Sequence, residues 1–289
     1  MKKNELSKTT ASAFVENIRK NRRFYLVTLC LTIVIFALMY IGNGVWKEYR
    51  DSSVRNQKEQ MLLAVESFSG RLEETIDKYA SDVRSLWEIS RSLNLEQKEA
   101  LWDCYVKEHS PLVRDIIIKK KDKTVFAVVP ENDPQEVLSE SRIDDRMYFR
   151  MVRIGNENRY LMLYYQTDTD ETISMILDGM AYYNTAIRPL NVGTNGYIVL
   201  KDKNGTLLMH PQPEQWGIDI IHGREKLFPG KDLTSLSAMI DRQKQGLTAV
   251  DEYYSYWWKK PGAPGVRKVS AYTPAWIGED FIIVSAVMA

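Results

Sequence analysis

The sequence has little of the material used for covalent or metal chemistry: two cysteines and three histidines in 289 residues. Cys30 falls inside a long apolar run and Cys104 far beyond it, so the two are not expected to pair within one chain. Any exported domain is then held by its core rather than by disulfides. His109, His210 and His222 are scattered. Glu214 follows His210 by four residues, but Pro211 and Pro213 forbid the helix that would align the pair as ligands, and a structural histidine at a strand end is the expectation. No Gly-x-Ser-x-Gly elbow, His-Glu-x-x-His pair, P-loop or recognisable cysteine–histidine motif is present. An anchored hydrolase therefore ranks low, although carboxylates are numerous and sequence alone cannot pair them into a glycosidase site.

Charge is missing altogether from Phe24 to Trp46, twenty-three residues. As a helix this run spans roughly 34 Å, enough for a hydrocarbon core of about 30 Å. Tyr25 at one end and Tyr40 and Trp46 near the other suit interfacial belts. The run exceeds the h-region of a cleaved signal peptide, so it reads as an uncleaved anchor. Seven basic residues against two acidic precede it, a balance of +5, whereas the rest of the chain has 32 basic and 36 acidic residues. That flank predicts a cytoplasmic tail at 1–23, a membrane helix at 24–46 and an extracytoplasmic remainder at 47–289. It is an orientation signal rather than a nucleic-acid patch, and nothing calls for a cofactor.

Beyond the anchor, Met61, Val65, Phe68, Leu72, Ile76, Tyr79, Val83 and Leu86 recur at spacings of three and four, the stripe of a long stalk helix. Such a stripe needs a partner, either the chain's own sheet or the same helix of a second subunit in a homodimer. Asn94 and Gln97 form a capping-box pattern opening a second helix through Glu108, closing stalk helices assigned to 47–110. The period then turns to that of strands. Val113–Lys119 and Thr124–Val129 flank a Lys121-Asp122-Lys123 turn. After a loop with Pro130 and Pro134 come Met147–Ile154, Tyr160–Gln166 and Thr172–Asp178, with a turn at residues 155–158. Five antiparallel strands and a short helix over Ala181–Leu190 make a first module, 111–190. A second, 191–289, repeats the outline. Gly196–Lys201 and Thr206–Met209 flank Asn204-Gly205, Leu233–Gln245 is helical, and Val250–Trp258, Val266–Tyr272 and Phe281–Met288 close the sheet, with Pro261, Gly262, Pro264 and Gly265 in a turn. The fold class is thus α+β, a transmembrane helix and long stalk helix followed by two PAS-like antiparallel-sheet modules in tandem.

The landmarks Asp178, Gly196-Tyr197, Asp202 with Gly205, and His210-Pro211 resemble the junction of a double Cache domain, the extracytoplasmic sensor of many bacterial transmembrane receptors. The order of elements matches from about Lys47 to Ala289. The resemblance implies a small-molecule sensor, membrane-distal module first, that serves a histidine kinase, diguanylate cyclase or chemoreceptor output absent from this sequence. The chain is then a fragment of such a receptor or a module acting through a partner. In the amino-acid binders of that family an Arg-x-Trp-Tyr segment and a later Asp hold an amino acid or other carboxylate. Arg146, Tyr148 and Phe149 match the segment loosely, Asp178 falls at the later acid, and Tyr165 is a further candidate wall. Tyr-Phe stands for Trp-Tyr, and the interval to Asp178 is shorter than usual. Against the functional reading stands the plain one, that Tyr148 and Phe149 are core. The aromatic group Tyr253, Tyr254, Tyr256, Trp257, Trp258, Tyr272 and Trp276 offers core on one strand face and a pocket, dimer or membrane contact on the other. An interaction or structural protein of the envelope remains the alternative to a sensor.

Overall fold

A computed structural model describes residues 20, 22–129, 134–155, 158–190, 192, 196–256 and 263–289. Most of the expected tail, the side chain of Tyr25, Pro130, Asn156, Glu157, Trp257, Trp258, Pro261 and Gly262 lie outside the described residues. The chain divides into two units, 1–56 and 57–289.

In the first unit the described residues are the beginning of helix α1 (Arg22–Ser90). It is the one described helix long and apolar enough to cross a membrane. Phe24, Leu31, Phe36 and Trp46 are exposed, as lipid-facing side chains are before a bilayer covers them. Thr28 and Thr32 return their hydroxyls to the carbonyls of Phe24 and Thr28 at 2.9 and 2.8 Å. These bonds leave neither donor in need of water.

The second unit holds the rest of α1 and two antiparallel sheets. All eight residues of the expected stripe are buried and cluster with residues of both sheets. The stripe therefore finds its partner in its own chain rather than in a second subunit. α2 (Leu95–Glu108) opens on the predicted box: Asn94 Oδ1 accepts from Gln97 N at 2.9 Å, and Gln97 Oε1 accepts from Asn94 N at 3.2 Å. Trp102 of α2 packs on Phe126 with ring centroids 4.9 Å apart.

The first sheet has the order β2-β1-β6-β5-β4-β3, built from β1 (Val113–Lys120), β2 (Lys123–Ala127), β3 (Glu136–Arg142), β4 (Met147–Ile154), β5 (Asn158–Gln166) and β6 (Glu171–Leu177). It has six strands where five are expected from sequence. The added strand, β3, reads EVLSESR, with serines at its two buried positions, Ser139 and Ser141, and without a β-branched run, which is why it passes for loop. It is also the joint to the second sheet. Ser139 donates to Asp202 at 2.6 Å and the Arg142 amide to Asp280 at 2.8 Å. Gly278 (φ +79°) sits so close that a Cβ there would fall 1.8 Å from the Ile143 carbonyl oxygen, so the contact requires glycine.

A short helix α3 (Gly179–Tyr182), widened by a further turn over Tyr183–Ile187, leads on. The second sheet has the order β8-β7-β11-β10-β9: β7 (Tyr197–Asp202), β8 (Leu207–Met209), β9 (Ala249–Ser255), β10 (Val266–Ile277) and β11 (Asp280–Met288). The Asn204-Gly205 turn adopts the expected conformation, with Gly205 at φ +93°. Two α-helices lie between β8 and β9, after a 3-10 turn at Pro213–Gln215: α4 (Ile220–Leu227) and α5 (Thr234–Lys244). The expected helix corresponds to α5. α4 is an addition, capped by Asp219 Oδ1, which accepts from the amides of Ile221 and His222. Its Gly223 and short length hide it in the sequence.

Candidate functional site

Strand alternation decides where the five candidate residues point. Met147, Phe149 and Met151 of β4 join the cluster that includes α1, and Tyr148 points the other way. Phe149 is buried. It lines a small apolar cavity between α1 and the two sheets, with Ile76, Leu161, Leu177, Leu200 and Asp178 among the other walls. Asp178 is an N-cap: its Oδ1 accepts from the amides of Met180 and Ala181 at 3.0 and 2.9 Å, which uses one carboxylate oxygen in structure. Tyr165, paired with Met147, is partly buried against the same cluster. Tyr148 lies on the opposite face beside Tyr164, centroids 6.2 Å apart. The Arg150 guanidinium stacks over both rings, at 5.3 and 3.8 Å. Arg146 is exposed in the turn before β4. The five residues thus do not converge: Phe149 and Asp178 share a cavity, and Arg146 and Tyr148 are elsewhere.

A second cavity, of about 30 Å³, lies on the far face of the second sheet. In β7, alternation turns Tyr197, Val199 and Lys201 to this face and Ile198 and Leu200 toward the α1 cluster. β10 supplies Lys268 and Ser270, and β9 supplies Tyr253, which is the register partner of Lys268. Helices α4 and α5 close the cavity with Arg224, Leu236 and Met239, and His210 and Gln215 come from the segment after β8. Lys201 is 1% exposed, Lys268 4%, Arg224 7% and His210 7%. No carboxylate is among the described residues lining the cavity.

The electrostatics follow from that crowding. Burial pushes Lys201 down to about 7. Burial and the neighbouring Arg224 charge lower Lys268 to about 8, and burial also lowers Arg224. His210 is held down to about 3 by burial and by the charges of Arg224 and Lys268. Desolvation penalises each charged form and like charges add to the penalty. The ammonium of Lys201 donates to neutral Gln243 Oε1, and Arg224 Nη1 donates to the Tyr256 carbonyl at 2.7 Å. Ser270 Oγ and Gln215 Oε1 are buried without a hydrogen-bond partner, an arrangement that in native proteins calls for a reason. Sequence reasoning passed over this group. Its one local signal is Lys201 directly after the apolar run Tyr197–Leu200 of β7; Arg224 and Lys268 are brought to it only by the fold. His210 lies just past the end of β8, its ring against Tyr197. In the aromatic group, Tyr253 points into the cavity, Tyr272 is buried, Tyr254 and Trp276 are exposed, and Tyr256 stacks on Phe228.

No family model matches the chain, and no curated protein matches it. Solved structures do match its fold. The ligand-binding domain of the Pseudomonas aeruginosa PAO1 amino acid chemoreceptor PctB in complex with L-Arg aligns with a TM-score of 0.55 at 12% identity, over 81% of this chain and 95% of that one. That of PctC from the same organism, in complex with GABA, aligns at 0.51 and 10% identity, over 78% and 96%. An extracellular ligand-binding receptor from Desulfohalobium retbaense DSM5692 aligns at 0.50 and 9% identity, over 80% of this chain and only 40% of its own. At such identities the likeness is one of fold: α+β, a long N-terminal helix and tandem antiparallel-sheet modules, as expected from the double Cache resemblance.

Proposed function

We propose that the chain is the extracytoplasmic sensing region of a bacterial membrane signal-transduction receptor, anchored by the apolar part of α1 with its N-terminus in the cytoplasm. The observation that carries this reading is a cavity in the second sheet walled by Lys201, His210, Arg224 and Lys268, in a fold whose matched structures are ligand-binding domains. PctB and PctC were solved with L-Arg and GABA, which supports a small carboxylate-bearing ligand here. Ligand binding would favour one of two arrangements of the sheets against α1, and an output of the histidine kinase, diguanylate cyclase or chemoreceptor type would read the difference.

Two measurements test it. Cys104 is exposed and Cys30 lies within the apolar run, so a membrane-impermeant maleimide added to intact cells should label Cys104. Labelling that requires cell lysis reverses the orientation. The full chain in nanodiscs should gain melting temperature with at least one compound of an amino-acid and organic-acid panel. Silence across that panel favours an envelope interaction protein instead.

A further inference from the structure

We propose that Lys201 is a carbon dioxide site, at which the Nζ amine adds CO2 to form a carbamate that pairs with the side-chain amide of Gln243. This adds a covalent site to the chain and holds whether or not the chain signals. Lys201 and Gln243 are each 1% exposed. The lysine lines the cavity under α4 and α5, and its Nζ donates to Gln243 Oε1, one turn of α5 beyond Met239, which lines the same cavity. Gln243 Nε2, the other half of that amide, is buried with no hydrogen-bond partner among the described residues. A buried amide that uses its acceptor on an amine and leaves its donor idle calls for an acceptor at that amine.

A carbamate supplies it. The Nζ lone pair attacks the carbon of CO2, the C–N bond forms, one C=O electron pair moves onto oxygen, and the nitrogen gives one proton to water; nothing is oxidised or reduced. The product keeps an N–H for Gln243 Oε1 and sets one carbamate oxygen on the same side for Nε2, so two parallel hydrogen bonds replace one. The step needs a neutral amine. Burial pushes Lys201 down to about 7, and an amine desolvated in this way is a nucleophile at neutral pH. The new charge meets a donor, and no carboxylate among the described residues lines the cavity to repel it. Size and wall select the reagent. About 30 Å³ is roughly twice what a single water needs, which suits three heavy atoms in line and not a larger carbonyl compound. Val199, Leu207, Ile220, Leu236 and Met239 form an apolar wall, against which a molecule without charge or net dipole loses little hydration.

The test is carbon-13 NMR of the full chain in nanodiscs under labelled CO2 and bicarbonate at neutral pH. In parallel, any carbamate is alkylated with a trialkyloxonium salt and placed by peptide mass spectrometry. A carbamate resonance that Lys201→Met and Lys201→Gln both lose is expected, with the alkylated carbamate on Lys201 and not on Lys268, the other buried lysine of the cavity. Gln243→Leu, which keeps the amine buried and removes the amide, should lower the carbamate population several-fold. Where a variant no longer unfolds cooperatively, the position of the alkylated carbamate in the parent chain decides alone. A parent chain with no carbamate at Lys201 would overturn the proposal. So would a resonance that survives both Lys201 variants, or a population indifferent to Gln243→Leu.

Discussion

The two sheets share one helix and differ in what covers their other face. α1 lies on both, burying a single apolar cluster between them. On its far side, the first sheet carries Ile117, Val152, Met162 and Ile176 in a cluster built from strand residues alone. Arg150 laid over Tyr148 and Tyr164 forms part of that surface. The far side of the second sheet is roofed by α4 and α5, and three cations are enclosed beneath the roof. A sheet that needs only a core can close its face with its own side chains. Enclosing a polar volume takes a separate layer, because only walls on all sides keep water from solvating the charges inside.

The comparison can be broken at the shared helix, with the largest expected effect. Ile76 is buried and lines the cavity between the sheets, with Leu161 and Leu177 from one and Leu200 and Ile282 from the other. Ile76→Ala should cost about 2–5 kcal/mol and weaken both modules in one thermal transition; two separated transitions would mean that the sheets are stabilised independently.

The next effect sharpens the difference in far faces. Lys201 shares its cavity with Arg224 from α4, Lys268 from β10, Tyr253 from β9 and His210. It is protonated up to about 10.5 when unfolded but only up to about 7 when folded. The unfolded chain therefore holds more protons between these values, and stability rises as pH goes from 7 toward 10.5. Lys268 acts in the same direction from about 8. His210 adds an acid limb, its stability lost as pH falls from 6.5 toward 3. Lys201→Met, close in size, should stabilise the ligand-free chain by a few kcal/mol at neutral pH and remove most of the alkaline slope. Denaturant unfolding at several pH values measures both, and a variant less stable than the parent at pH 7 would contradict the account.

Gly278→Ala forces a Cβ into the Ile143 carbonyl at the joint and should cost about 2–3 kcal/mol. Hydrogen exchange should then rise first in β3. The smallest effect belongs to the stalk helix packed on the first sheet: Asn94→Ala removes the cap of α2 and should lower stability by about 1 kcal/mol.

Much of the molecule was legible from local pattern. The stripe Met61–Leu86 announced a buried helix face, Asn94 and Gln97 announced a cap, and Asn204-Gly205 announced a hairpin, because each depends on spacings within a few residues. β3 and α4 were hidden by polar composition and by Gly223, and their places were set by what they pack against. Tyr148 and Phe149 could be named as a pair, but alternation sends them to opposite faces, and only the register with β5 shows which face meets α1. The sequence by itself determined an apolar anchor, an amphipathic stalk and two strand-rich modules, since burial of apolar surface at periods of 3.6 and 2 is a local property. The tertiary structure alone decided that Lys201, Arg224 and Lys268 meet. They lie on a strand, a helix and another strand far apart in the chain, and nothing local records a meeting that depends on strand order and on the closing of a helical layer over one face.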